Sequence, residues 1–242
     1  MDKYFVIPHV HPNLADPASA KGHRMSGALR FLSSSIGKKL IMGLTGFFLI
    51  SFLFFHLTIN LFLFAGAGGL FTPFADFLGT FPLARPIEWV LFGGFVLHFL
   101  LGILVWLMNR RARPKGYAND HTAKTINFSS RFTIVTGVVV LAFLVWHLVQ
   151  FFIRSRFFPD GATMYSLVAA AFAQPLVVIL YELSFLFLGF HLKHGFQSAF
   201  QSWGLRTSRY RGFIDALGVI VWLLLPLGFA SIPLVFIFGG AR

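Results

Sequence analysis

Four histidines, His56, His98, His147 and His191, each lie within a different apolar segment of this chain. An ionisable side chain is costly in hydrocarbon and marks a pathway, a proton relay or a cofactor. One histidine on each of four consecutive helices supplies two pairs of imidazoles to a shared interior. No cysteine occurs in the chain. Two imidazoles at one level, without cysteine or carboxylate beside them, do not make a tetrahedral zinc site. They suit the two axial positions of a haem iron, which leaves no open position for oxygen and favours electron transfer. The expectation is therefore two metal centres, with His56, His98, His147 and His191 as ligands to two non-covalent, bis-His haems. The rival readings are histidines bonded to neighbouring helices and a haem-free, proton-coupled transporter.

Such residues need membrane helices to position them. The chain is 57% apolar, contains 33 Phe and is only 12% charged, which predicts an all-α integral membrane protein. Five segments reach the roughly 20 apolar residues that a ~30 Å hydrocarbon core requires: 40–64, 87–108, 132–153, 167–191 and 213–238. Pro175, Pro226 and Pro233 fall within these runs as tolerable kinks. The formal charge of +12 is concentrated from Lys3 to Lys39, Arg110 to Arg131 and Lys193 to Arg211. That alternation predicts an inside N-terminus and an outside C-terminus. It shows no folded basic face for nucleic acid. Residues 1–32 do not resemble a signal peptide and are read as a polar inner-side tail, with 33–242 as the membrane domain.

Orientation fixes depth, since a helix rises 1.5 Å per residue. His56 and His147 lie on parallel spans, both nearer the outer side; His98 and His191 lie on spans running the other way, both nearer the inner side. The expected pairs are His56 with His147 and His98 with His191, in layers on the order of 10–15 Å apart. Gly94 and Gly102 flank His98 by four residues on one helical face, where a flat macrocycle would approach the backbone. Asn60 is one turn beyond His56, placed to bond a ring nitrogen, a haem propionate or a quinone carbonyl. Arg131, at the inner start of the third span, is a candidate for neutralising a propionate, the alternative being a plain positive-inside role. Glu182 is nine residues before His191, about 180° around the helix, and is expected to face elsewhere. His9, His11, His23 and His121 lie in polar stretches.

The order and spacing of several strings resemble the five-helix, di-haem cytochrome b subunit (b558 type) of succinate:quinone oxidoreductases, over about Ser33 to the C-terminus. The strings are Ser35-Ile-Gly-Lys-Lys-Leu-Ile-Met-Gly43, Phe55-His56-Leu57-Thr58-Ile59-Asn60, Leu97-His98-Phe99-Leu100-Leu101-Gly102, Ser130-Arg131, Val145-Trp146-His147-Leu148 and Gly189-Phe190-His191-Leu192-Lys193-His194-Gly195, continuing to Trp203-Gly204. The resemblance implies a bundle in which four helices clamp two b haems and the fifth packs beside them, in a bacterial cell membrane with the N-terminus cytoplasmic. It implies a flavoprotein subunit and an iron–sulfur subunit on the inner face, a membrane quinone (menaquinone is the type expected) and a higher oligomer of the complex as one outcome. It places the fourth ligand at His191 rather than His194. The runner-up is a di-haem subunit serving a hydrogenase or formate dehydrogenase.

Overall fold

The structure is a computed structural model that describes residues 27–111 and 120–239; the side chains at 28, 29, 32 and 120–131 lie outside the described set. It is all-helical: α1 (Gly27–Ser33), α2 (Ser35–Leu61), α3 (Phe71–Thr80), α4 (Ala84–Arg111), α5 (Asp120–His147), α6 (Arg154–Phe157), α7 (Met164–Phe172), α8 (Pro175–Ser202), α9 (Arg211–Val219) and α10 (Leu225–Gly239). A π-helical segment, Leu148–Ile153, joins α5 to α6, and a second, Ile220–Leu224, joins α9 to α10. Among the described residues five stretches are long and apolar enough to cross a membrane: Ser35–Ala65, Ala84–Arg111, Phe132–Phe157, Pro175–Ser202 and Arg211–Gly239. At 1.5 Å per residue each spans roughly 40 Å, more than the ~30 Å hydrocarbon core.

The ends of these helices follow from local chemistry. Ser34 caps α2, its hydroxyl accepting from the Gly37 N–H at 3.0 Å. The fourth crossing is not the expected 167–191. Residues 164–172 form the separate helix α7, and the crossing helix starts at Pro175 and continues to Ser202. Proline disfavours α geometry in the residue before it, and Gln174 is extended (φ −96, ψ 114). Pro175 itself occupies the first turn, where its missing N–H leaves no bond unmade, so it begins a helix rather than kinking one. Beyond His191 the polar Lys193, Gln197, Ser198 and Gln201 lower the hydropathy without breaking the helix, so an apolar window ends too early. Gly204 (φ 70) then takes the left-handed conformation that lets Leu205 N–H return to Phe200 O at 3.0 Å.

Successive crossings run antiparallel. Gly46 of α2 lies against His98 of α4, Phe92 of α4 against Phe152 beyond α5, and Phe132 of α5 against Phe190 of α8. Phe185 of α8 stacks on Phe229 of α10 at 5.7 Å. Four helices therefore stand at the corners of a square in the order α2, α4, α5, α8. The backbones of α2 and α4, α5 and α8, and α2 and α8 lie close together. Across α4–α5 and along both diagonals, hardly any Cα atoms come within 8 Å. The fifth crossing seals the α2–α8 side, where Leu57 fills the space at Gly228 and the Trp222 carbonyl meets Gly189.

Lys38, Lys39, Arg110, Arg111, Arg206, Arg209 and Arg211 collect at one end, called here the basic end. At the opposite end Arg85 and Arg156 both reach Glu88, at 3.3 and 3.5 Å. Asp160 there accepts from the Ala162 N–H and from Arg154, which hold its carboxyl below the usual carboxylate range.

Helix α8 supplies much of the core, with Val178, Tyr181, Phe185, Leu188 and Leu192 buried. A Cβ at Gly189 would stand 3.0 Å from the Trp222 backbone oxygen, which has no side-chain freedom to yield. Gly189→Val is expected to destabilise the α8–fifth-crossing contact by about 1–3 kcal/mol, read as a lower melting temperature of the helical circular dichroism signal in detergent.

Candidate functional site

The four histidines occupy one corner of the square each and meet across its diagonals. His56 of α2 and His147 of α5 have ring centroids 5.9 Å apart, with planes at 87°. His98 of α4 and His191 of α8 are 6.3 Å apart, at 80°. These are the pairs expected from depth. The level of each follows from its neighbours: Gly46 stands beside His98 and Gly137 beside His191, each ten residues before the histidine of its own helix. Ten helical residues separate the layers by about 15 Å.

The same short pattern builds both layers. Thr45-Gly46 precedes His56 by nine intervening residues, and Thr136-Gly137 precedes His147 by nine. In each case glycine gives space to the imidazole of the following hairpin partner: a Cβ at Gly46 would come to 3.4 Å from His98 Cε1, and at Gly137 to 3.5 Å from His191 Cε1. α2–α4 and α5–α8 are thus two similar hairpins, and each layer takes one histidine from each hairpin.

Ring nitrogens are oriented by polar side chains. Thr45 Oγ1 donates to Met42 O at 2.9 Å, so at 3.1 Å from His98 Nδ1 its oxygen is left to accept the ring proton. Tyr181 donates its hydroxyl proton to Gln150 Oε1 at 2.9 Å and accepts from His147 Nδ1 at 3.1 Å. Both assignments put the proton on Nδ1 and leave Nε2 bare, as a metal ligand requires. His191 Nδ1 is buried with no hydrogen-bond partner, a polar atom that hydrocarbon surroundings would penalise. Among the described residues no three His, Cys, Asp or Glu side chains gather to hold a metal by themselves. Each pair offers two imidazoles, so a metal held there would need its remaining ligands from a macrocycle. Two imidazoles on opposite sides of one metal, each roughly 2 Å from it by nitrogen, hold their ring centres roughly 6 Å apart. The observed separations match, and the residues fit a bis-His haem.

The other expected residues fall as follows. Asn60 donates to the His56 carbonyl at 2.7 Å, and its Nδ2 stands 3.4 Å from His56 Nδ1. The space at Gly94 is taken by Phe48 of α2, which a Cβ would meet at 2.7 Å, whereas Gly102 is more open, with Met42 at 3.9 Å. Arg131 lies in the backbone of α5, but its side chain is outside the described residues, as are those of His9, His11, His23 and His121. The ring facing His98 is that of His191. Glu182 Oε1 is buried without a hydrogen-bond partner. Thr45, Gly46, Gly137, Gln150 and Tyr181 escaped the reading of the sequence. Their signal was present: polar side chains inside apolar runs, and a Thr-Gly pair at a repeated distance before histidine.

No protein-family model, curated protein or solved structure matches the chain.

Proposed function

We propose that this chain is the membrane-anchor cytochrome b subunit of a succinate:quinone oxidoreductase. The observation that carries it is the diagonal pairing of four histidines, each pair from two crossings that run in the same direction, at separations that suit one metal between each pair. His56 and His147 would hold one b haem, and His98 and His191 the other. A haem held by two of these imidazoles would supply reversible one-electron transfer. The chain's own residues bind and orient. Gly46 and Gly137 leave room for the imidazoles of the basic-end layer, Thr45 and Tyr181 fix ring tautomers, and Phe229 packs at 5.8 Å against His56. The basic end, with Lys38, Lys39, Arg110 and Arg111, is the cytoplasmic face of a bacterial cell membrane in this reading, where the flavoprotein and iron–sulfur subunits dock. The membrane quinone exchanges electrons within the bilayer, and the dicarboxylate chemistry belongs to the flavoprotein.

Purification of the intact complex from its native membrane tests the assignment. Co-purifying polypeptides should carry flavin and iron–sulfur centres, and succinate should reduce the haem absorbance. A partner containing nickel or molybdenum would move the chain to a hydrogenase or formate dehydrogenase.

A further inference from the structure

Tyr181 is a core residue, 2% exposed, with Phe143, Trp146, Phe172 and Phe185 around its ring. Packing accounts for the ring but not for the hydroxyl. A phenol and a primary amide are expensive inside a bilayer unless bonded, and here they form a chain: His147 Nδ1–H to the Tyr181 oxygen, and Tyr181 O–H to Gln150 Oε1. Gln150 comes from the π-helical segment that starts directly after His147, where the wider turn shifts it from its α-helical position. Such an interruption directly beside a metal-binding histidine, supplying the last acceptor of that chain, ties backbone and bond network to the same ring. The four imidazoles are not treated alike. His191 Nδ1 has no hydrogen-bond partner, while His147 has a two-membered chain behind it.

We propose that Tyr181, backed by Gln150, is the positioning residue for His147 and sets the haem at the end opposite the basic residues to a lower reduction potential than it would otherwise have. The inference rests on the haem reading of the two imidazole pairs. Donation of the Nδ1 proton to an oxygen makes the other ring nitrogen a better electron donor to metal. A better donor favours the ferric form over the ferrous one. The phenol's own donation to Gln150 polarises its oxygen and strengthens the effect.

Redox titration of the intact purified complex, followed by haem absorbance and by the low-spin ferric electron paramagnetic resonance signals, tests this. Tyr181→Phe preserves the buried ring and deletes only the hydroxyl, which accepts from His147 and donates to Gln150. Two haems should remain. One of them should become easier to reduce, its ferric/ferrous equilibrium moving by about three- to tenfold (about 59 mV per tenfold for a one-electron couple). Its ferric signal should shift, and the other haem should be unmoved. Gln150→Leu should move the same haem in the same direction by less, and it decides alone if Tyr181→Phe costs that haem. Two haems at unchanged potentials in both variants would overturn the proposal, as would equal shifts of both haems, which denote general loosening of the bundle. A wild-type complex without haem would instead overturn the haem reading itself and this inference with it.

Discussion

His98→Ala and His191→Ala are each expected to halve the haem content, from about two to about one per chain, and to remove the same low-spin signal. The two rings face each other at 6.3 Å, and among the described residues no three His, Cys, Asp or Glu side chains gather to hold a metal by themselves. Loss of either would leave a single imidazole to hold a haem at that level, and the low-spin signal that two imidazoles give would be lost with it. His194, three residues from His191, is the nearest spare imidazole along α8, but the ring set across the diagonal from His98 is that of His191. His56→Ala and His147→Ala should remove the other signal and spare the first, because about 15 Å of helix separates the layers. If His56→Ala and His98→Ala abolished one and the same signal, the pairing would be wrong. Difference spectra of the four variants, with haem extracted and quantified, decide it.

Gly137→Leu is expected to abolish haem at the basic-end layer, whereas Gly137→Ala leaves it in place. A Cβ at this position would lie 3.5 Å from His191 Cε1 and 3.7 Å from its Nδ1, ordinary contact that alanine satisfies. The further carbons of leucine are expected to press on the imidazole, the nearest group to a Cβ at this position, and to turn it away from His98. Gly46 should behave alike towards His98, with 3.4 Å to Cε1. The two glycine positions would then give one phenotype from two different helices. Haem content and the low-spin signal are the measurements; a Gly137→Leu protein with both haems intact would show that the ring has room the structure denies it.

Much of this was legible from residue type and spacing. Long apolar runs bounded by Gly and Pro identify five crossings, since hydrocarbon leaves the backbone little choice but helix. The histidines could be paired from depth alone, because helix rise converts residue number into height. The fourth crossing was misplaced for a physical reason. Hydropathy cannot distinguish a short apolar helix lying before Pro175 from the crossing helix itself, and it undervalues a helix that carries Lys193 and Gln197 at its basic end. Gly94 was legible as a close approach, but the sequence could not tell that Phe48 makes it. Tyr181 and Gln150 stayed hidden because each is unremarkable alone. Only the packing of α8 on α5 brings Tyr181 to His147, thirty-four residues away in sequence, and to Gln150 in the π-helical turn beyond it. The Thr-Gly repeat before His56 and His147 could have been found, and it would have pointed to two equivalent hairpins before any coordinates.

The most direct test is the haem content of the purified protein, by the pyridine haemochrome method together with a reduced-minus-oxidised spectrum. Two b-type haems per chain, both six-coordinate and low-spin, are predicted. A colourless protein, or a single haem per chain, would contradict the claim that paired imidazoles grip iron at two depths of this bundle.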